Sequence, residues 1–401
     1  MDTPHDVEYR PISVKEVLAE MKDTAELLID LSYSAVLFGS EAVAEEVLVL
    51  EERMDVLQLR ARMSLLMAAR TTDDAEQLAP VLGVVGAAEK ISDAAGDIAK
   101  VVLEEIGLPD AMRAALPEAI EPVIRATVEA QSRFADRSLG ELNLETETGV
   151  RVIAIRRRGE WLLNPNVDTV LETDDVILMR GFEDNLAPVY ETVTGTPYET
   201  PEPVEPGIAD LERAVDAIVL MKNMSELAVD LAYGAVLYDS TDLAEEVASL
   251  EAEVDALESR LEAWTLRAAA RVDDPVGLRG LVHLAGSTEV ISDAALEISE
   301  GVLRGLGTHP VVAEAVSESD EVISRLTVGE GSTLDGATLG EEMVRTETGM
   351  RIIAVRRPQT TEAREDRWEI QPGPETKLRA GDVLLAKGTR AGSERLEELI
   401  A

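Results

Sequence analysis

Acidic side chains recur at four-residue spacing in two predicted helices. Glu51 and Asp55 form one pair, and Glu89 and Asp93 form the other. Because residues four apart lie on one face of a helix, each pair presents its two carboxylates together. Clustered carboxylates repel one another unless a hard cation or an arginine lies among them. The pattern predicts an all-oxygen site, which favours Mg²⁺, Mn²⁺, Ca²⁺ or ferric iron over zinc. Helix-surface charge or contacts to a partner are the alternative interpretation.

The acidic pattern returns 200 residues later in the chain. With 79 Asp and Glu among 401 residues, a single pair is weak evidence, and the recurrence strengthens it. The candidate metal ligands of the second copy are Glu251, Asp255, Glu289 and Asp293.

Arginines form the densest basic patch of the sequence. Arg151 lies in a β-branched run that follows Thr148-Gly149, and Arg156–Arg158 end that run. A second copy ends in Arg356-Arg357. Phosphate groups are recognised by arginine or backbone donors, so an anionic ligand is one interpretation. The other is that these arginines pair with the abundant acids.

Composition excludes several classes of function. The formal net charge of −42 argues against duplex nucleic acid as a partner, since binding it needs clustered Lys and Arg, and it is typical of salt-adapted proteins. There are no cysteines, which excludes disulfides and thiol chemistry. The three histidines are scattered, so no hydrolytic triad and no enzyme is expected. Without an 18-residue apolar stretch or a signal-peptide pattern, a cytoplasmic location is predicted.

Hydrophobic periodicity predicts three long helices in the first unit, ending near Phe38, Arg70 and Ile106. The second helix has apolar residues at three- and four-residue steps, which predicts a narrow packing seam formed by Val43, Val47, Leu50, Met54, Leu57 and Ala61. Strands are predicted at 123–128, 150–156, 161–163 and 176–180. Each unit is therefore an antiparallel helical bundle followed by a small α+β module.

The sequence contains two copies of this whole unit. The sequence Ile91-Ser-Asp-Ala-Ala95 returns as Ile291-Ser-Asp-Ala-Ala295. The predicted domains are a helical repeat at 1–109, a small module at 110–191, a Pro- and Glu-rich linker at 192–209, a second helical repeat at 210–308 and a second module at 309–401.

The helical repeats resemble the PhoU family. The resemblance rests on Leu50-Glu-Glu-Arg-Met-Asp55 and Glu89-Lys-Ile-Ser-Asp93. It implies three-helix bundles whose motif carboxylates hold metal clusters, in proteins that regulate phosphate or ion uptake. The basic residue usual after the third-helix Glu is Lys90 in the first repeat, but Val290 takes its place in the second.

The small modules are similar to the RCK-C or TrkA-C domain of potassium-channel and Trk-type gating subunits. The matching features include Ser138-Leu-Gly140, Thr148-Gly149 and Asp175-Val176. The resemblance implies domains that dimerise and bind small ligands, including cyclic di-AMP. The ligand-facing positions it implies are Arg156, Asn164 and Pro165 in one module and Arg356 and Pro372 in the other.

Together these observations predict an α+β protein with two PhoU-like bundles and two RCK-C-like domains. It would regulate cation (potassium) transport by sensing a small anionic ligand and acting on a membrane transporter or channel. A homodimer or an intramolecular pseudo-dimer is expected. One alternative is a PhoU-type adaptor of phosphate-uptake signalling with carboxylate metal sites, and a carboxylate-metal enzyme is another.

Overall fold

The computed structural model describes residues 13–107, 123–144, 148–163, 165–181, 183–198, 208–305, 309–319, 321–357, 368–370 and 372–401. Helices α1 (Val14–Phe38), α2 (Glu41–Ala68) and α3 (Thr72–Leu103) form the first bundle. The predicted seam of α2 is confirmed, since all six of its residues are at most 3% exposed. Gly39, with a φ of 56°, ends α1 in the left-handed conformation that glycine adopts at little cost.

The first module follows as β1 (Val123–Thr127), the short α4 (Leu139–Leu142), β2 (Arg151–Arg157), β3 (Glu160–Leu163), β4 (Val176–Arg180) and α5 (Glu183–Thr194). Its four strands are antiparallel in the order β1-β4-β2-β3. A register shift in β2, between Val152 and Ala154, places the consecutive residues Ile153 and Ala154 on the same face of the sheet, where both pack against the helical core. The sequence prediction missed α5, which covers the outer face of this sheet with Leu186 and Val189.

The second bundle consists of α6 (Ala209–Tyr238), α7 (Thr241–Ala269) and α8 (Arg279–Leu303). Helix α8 packs along α3, so the two bundles share one hydrophobic core. A hydrogen bond of 2.6 Å between the hydroxyls of Tyr33 on α1 and Thr288 on α8 also joins them. The duplicated bundles therefore form one helical body.

The second module comprises α9 (Pro310–Glu318), β5 (Val322–Thr327), α10 (Val344–Thr348), β6 (Arg351–Arg356), β7 (Trp368–Ile370), β8 (Val383–Gly388) and α11 (Arg390–Ile400). Its strand order, β5-β8-β6-β7, repeats that of the first module. Part of the predicted linker, residues 199–207, lies outside the described residues. The domain boundaries stay predictions.

Each sheet uses one face to dock on the helices. In the first module Val123, Ala154 and Leu178 belong to the helical core, whereas Ile155 and Ile177 belong to the module's own core. The backbone N–H of Val123 donates to the hydroxyl of Ser34 on α1 at 3.0 Å. Side chains at the docked faces are therefore placed to contact α1, α2 and α6.

Candidate functional site

The first acidic cluster lies between α2 and α3. Partial burial raises the pKa of Glu51, and the charges of Asp93, Asp97 and Asp55 add to that shift. Burial and the nearby charges of Glu89 and Asp55 likewise raise the pKa of Asp93. The four predicted ligands Glu51, Asp55, Glu89 and Asp93 are thus close neighbours.

The second acidic cluster lies between α7 and α8. Partial burial, with repulsion from Asp293, Glu258, Asp255 and Glu251, raises the pKa of Glu289 to about 7. Glu258 was not among the predicted residues. It lies one helical turn beyond Asp255, where the first repeat has Gln58. That difference between the repeats is the sequence signal that identifies it.

Cations distinguish the two clusters. In the first, Lys100 lies 4.0 Å from Glu51 and 2.9 Å from Asp97, and Arg62 lies 3.7 Å from Glu89. The second repeat has Glu300 and Glu262 at the positions of Lys100 and Arg62. Lys90 on α3 forms an ion pair with Glu297 on α8, across the junction of the bundles. The second cluster is therefore the less compensated of the two.

Within the part of the chain that the structure describes, no three His, Asp or Glu side chains are grouped in a way that could hold a metal ion. The carboxylates are close enough to repel each other, but they are not arranged as a coordination sphere. The metal-binding role of the eight residues stays a prediction.

The arginines predicted to face a ligand are paired with acids. Arg156 places Nη2 2.6 Å from Oε1 of Glu46 on α2, and Nε of Arg125 donates to the same oxygen at 3.2 Å. Glu46 is 2% exposed. Arg356 lies 3.5 Å from Asp242 and stacks over Trp368, 5.3 Å from the ring centroid. Both arginines therefore face the helices.

A cavity of about 550 Å³ lies between α6 and the second module. The lining combines aliphatic side chains with two arginines and a Pro-Gly-Pro segment. The lining residues are Asn223, Leu227, Leu339, Gly340, Met343, Val344, Arg345, Thr346, Met350, Arg351, Ile352, Ile353, Pro372, Gly373 and Pro374. Of the predicted ligand positions, Pro372 lines this cavity and Arg356 does not. Asn164 lies outside the described residues, and Pro165 precedes a turn at residues 167–168 in the first module. Sequence reasoning missed the cavity because helix α6 forms one of its walls.

A set of connected ion pairs, which we call the buried ion-pair network, lies beside this cavity. Its members on the helices are Lys22, Glu26 and Asp30 on α1 and Lys222, Glu226 and Asp230 on α6. Its other members are Arg151, Arg180, Glu321, Arg351 and Lys387. Lys387 is 8% exposed and Asp230 is 1% exposed. Burial opposes ionisation, yet the charges of Lys387 and Arg180 hold the pKa of Glu321 well below its ordinary value. Both helical bundles and both modules contribute charges to this network.

Comparison with known proteins identifies both parts of the unit. The TrkA-C domain matches residues 123–193 and 323–401, and the PhoU domain matches residues 18–102 and 218–302. The "Probable potassium channel protein 2" of Methanocaldococcus jannaschii is 29% identical over 139 residues, which cover 33% of this chain. The matched segment spans 38% of that relative's length. None of the described helices is long and apolar enough to cross a membrane.

Three solved structures are similar to parts of the chain. PhoU from Pseudomonas aeruginosa is 13% identical, with 73% of this chain and 96% of that one covered and a TM-score of 0.41. The RCK_C domain dimer of S. agalactiae BusR in complex with cyclic di-AMP is 31% identical over 18% of this chain and 86% of that one, with a TM-score of 0.17. The GsuK channel bound to NAD is 16% identical over 69% of this chain and 52% of that one, with a TM-score of 0.19.

Proposed function

Because the chain carries two PhoU domains and two TrkA-C domains in alternation, we propose that it is a regulatory protein of potassium transport that senses a small anionic ligand. The similarity to the probable potassium channel protein of Methanocaldococcus jannaschii supports the transport role. The role is regulatory and not catalytic. The protein acts at the cytoplasmic face of a membrane cation transporter or channel that is a separate polypeptide.

The cavity between α6 and the second TrkA-C domain is the observation that supports ligand sensing. Its volume of about 550 Å³ lies in the range of small-molecule sites. Arg345 and Arg351 supply cationic donors, while Leu227, Val344 and Ile353 supply apolar walls. A ligand with a phosphate and a flat apolar part, such as cyclic di-AMP, fits this combination.

Ligand binding is tested by titration calorimetry of the full chain with cyclic di-AMP, AMP and ATP. We expect saturable binding of at least one of them. Arg351→Gln should weaken it at least about tenfold, because a hydrogen bond to a charged group contributes about 1.5–3 kcal/mol. Arg357→Gln is the matched control, since Arg357 pairs with Glu369 and is not part of the cavity lining. Equal loss in both variants, or no binding to the wild type, contradicts a ligand role for the cavity.

The membrane partner is tested by affinity purification of the full chain from detergent-solubilised membranes. We expect a cation transporter or channel subunit to be retained. Recovery of no membrane protein under conditions that preserve the fold would contradict this part of the proposal.

The acidic clusters favour a second candidate function, a PhoU-type adaptor of phosphate-uptake signalling with bound metal. The second cluster, formed by Glu251, Asp255, Glu258, Glu289 and Asp293, is the better candidate because Glu300 and Glu262 stand where Lys100 and Arg62 compensate the first cluster. When bound, a hard cation would neutralise these carboxylates.

Glu289→Gln tests this candidate through stability. The raised pKa of Glu289, about 7 against an ordinary 4.5, means that its contribution to stability is fully present below about pH 4.5. That contribution is lost as the pH rises through 7. At pH 8 in EDTA the variant should melt about 1 °C above the wild type, since solvent limits the gain to about 1 kcal/mol. It should also lose stabilisation by Mn²⁺ or Mg²⁺.

Glu89→Gln in the first repeat is the matched control. Its carboxylate repels Asp93 but also lies 3.7 Å from Arg62, so the relief of repulsion is offset by the lost ion pair, and a smaller rise in melting temperature than that of Glu289→Gln is expected. Failure of Mn²⁺, Mg²⁺ and Fe³⁺ to stabilise the wild type would argue against the metal role.

A further inference from the structure

Arg351 belongs both to the cavity and to the buried ion-pair network. It lines the cavity together with Pro372. Its guanidinium extends to α6, where Nη2 lies 2.6 Å from Oδ2 of Asp230 and Nη1 lies 3.4 Å from Oε1 of Glu226. An anion that enters the cavity therefore meets a cation that two helix carboxylates already hold.

The carboxylate of Asp230 connects Arg351 to the rest of the network. Its second oxygen, Oδ1, accepts from Nζ of Lys387 at 2.5 Å. The same ammonium group lies 3.1 Å from Glu26 on α1 and 3.2 Å from Glu321. Glu321 in turn accepts from Nη1 of Arg180 in the first TrkA-C domain at 2.9 Å. A continuous series of ion pairs thus runs from the cavity wall to α1 and to the other TrkA-C domain.

Burial makes these charges depend strongly on their partners. Burial alone would lower the pKa of Lys387, but Asp230, Glu26 and Glu321 raise it well above its ordinary value. A buried charge that loses its partner is strongly destabilising, so a change in one pair favours movement of its neighbours. Arg351 is 40% exposed at its side chain, whereas Asp230 is 1% exposed. Of this pair, Arg351 therefore has the more exposed side chain, and it is the member that lines the cavity.

We propose that an anionic ligand in the cavity draws the guanidinium of Arg351 away from Asp230 and Glu226. Asp230 then forms an ion pair with Lys387 alone, and the ammonium group of Lys387 shifts its position between Asp230, Glu26 and Glu321. In this way ligand occupancy at the second TrkA-C domain changes the ion pairs of α1 and of the first TrkA-C domain. The inference rests on the proposed function and adds to it the means of transmission.

The two TrkA-C domains are not equivalent in this mechanism. Arg151 is the counterpart of Arg351, but it lies 4.0 Å from Glu321. The acid at the position of Asp230 in the first repeat, Asp30, forms an ion pair with Arg180 instead. Lys387 occupies the position equivalent to Arg180 and contacts three carboxylates. Both domains therefore converge on Glu321, and among the described residues the arginine that lines the cavity and pairs with Asp230 belongs to the second domain.

Competition gives the two partners of one ion pair opposite effects on ligand affinity. With cyclic di-AMP as the probe in titration calorimetry, Asp230→Asn should tighten binding about tenfold, because the variant removes the competitor for Arg351. Arg351→Gln should weaken binding by a similar factor. Asp30→Asn is the matched control, because Asp30 pairs with Arg180 and should change the affinity less than about twofold. A merely structural role for the pair would weaken binding in both Asp230→Asn and Arg351→Gln.

Amide hydrogen exchange gives a second readout. Saturating cyclic di-AMP should change exchange in α1 around Glu26 in the wild type, and Asp230→Asn should abolish that change. If Asp230→Asn does not fold, Glu226→Gln removes the other competitor and should tighten binding, though by a smaller factor. Wild-type binding with no gain of affinity in these variants overturns this inference and leaves the proposed function standing. Absence of wild-type binding overturns the ligand-sensing proposal itself, and this inference with it.

Discussion

Lys387→Met is expected to lower the free energy of unfolding by about 4 kcal/mol, the cost of leaving buried charges without their partner. Lys387 is 8% exposed, and its ammonium group contacts Glu26, Asp230 and Glu321 within 3.2 Å. Methionine keeps the length and apolar character of the side chain, so the loss reports the charge. Urea denaturation followed by circular dichroism measures it.

The loss of stability in Lys387→Met should depend on pH. In the wild type, the depressed pKa values of Glu321 and Glu226 mean that their contribution is present above about pH 4.5 and is lost as the pH falls. In Lys387→Met the carboxylates of Asp230 and Glu321 lose their common cation, so protonation relieves the repulsion between them. The deficit against the wild type should therefore be larger at pH 8 than at pH 5. Lys377→Met, at an exposed position, should stay within about 0.5 kcal/mol. Equal deficits at both pH values would contradict this account.

Glu46→Ala is expected to cost about 3 kcal/mol by releasing the first TrkA-C domain from α2. The carboxylate is almost fully buried and accepts from both Arg125 and Arg156. Its removal leaves two arginines without their common partner at the docking face. Urea denaturation at neutral pH measures the loss.

Asp242→Ala provides the comparison in the second unit. Asp242 holds Arg356, the counterpart of Arg156, but its side chain is 55% exposed and the distance is 3.5 Å. Solvent weakens such a pair, so a loss of no more than about 0.5 kcal/mol is expected. If Glu46→Ala were as mild as Asp242→Ala, the ion pair would not hold the docking face. If Glu46→Ala instead strengthened anion binding, Arg156 would be a ligand residue, as its sequence position predicts.

The candidate site was only partly predictable. The sequence placed Glu51, Asp55, Glu89 and Asp93 together because they lie on two helices joined by a short turn. It left open whether the arginines bind a ligand or pair with acids. The structure pairs Arg156 with Glu46 and Arg351 with Asp230, residues that lie far apart in the chain. Neither pairing has a local signature, because each depends on how a sheet face docks on a helix.

Features that depend on local or repeated sequence were determined by the sequence alone. The duplication, the long helices, the buried seam of α2 and the two family resemblances follow from periodicity and motif order over short stretches. These features can be predicted from short stretches because a helix or strand buries the face that its own apolar spacing defines.

Only the tertiary structure decided which surfaces meet. The cavity has one wall from α6 and the other from the second TrkA-C domain, and the buried ion-pair network takes its members from both units. In a chain with 79 acidic residues, many pairings of charge are possible in the sequence. Packing selects among them, because a buried charge is tolerated only where the fold brings it an opposite charge.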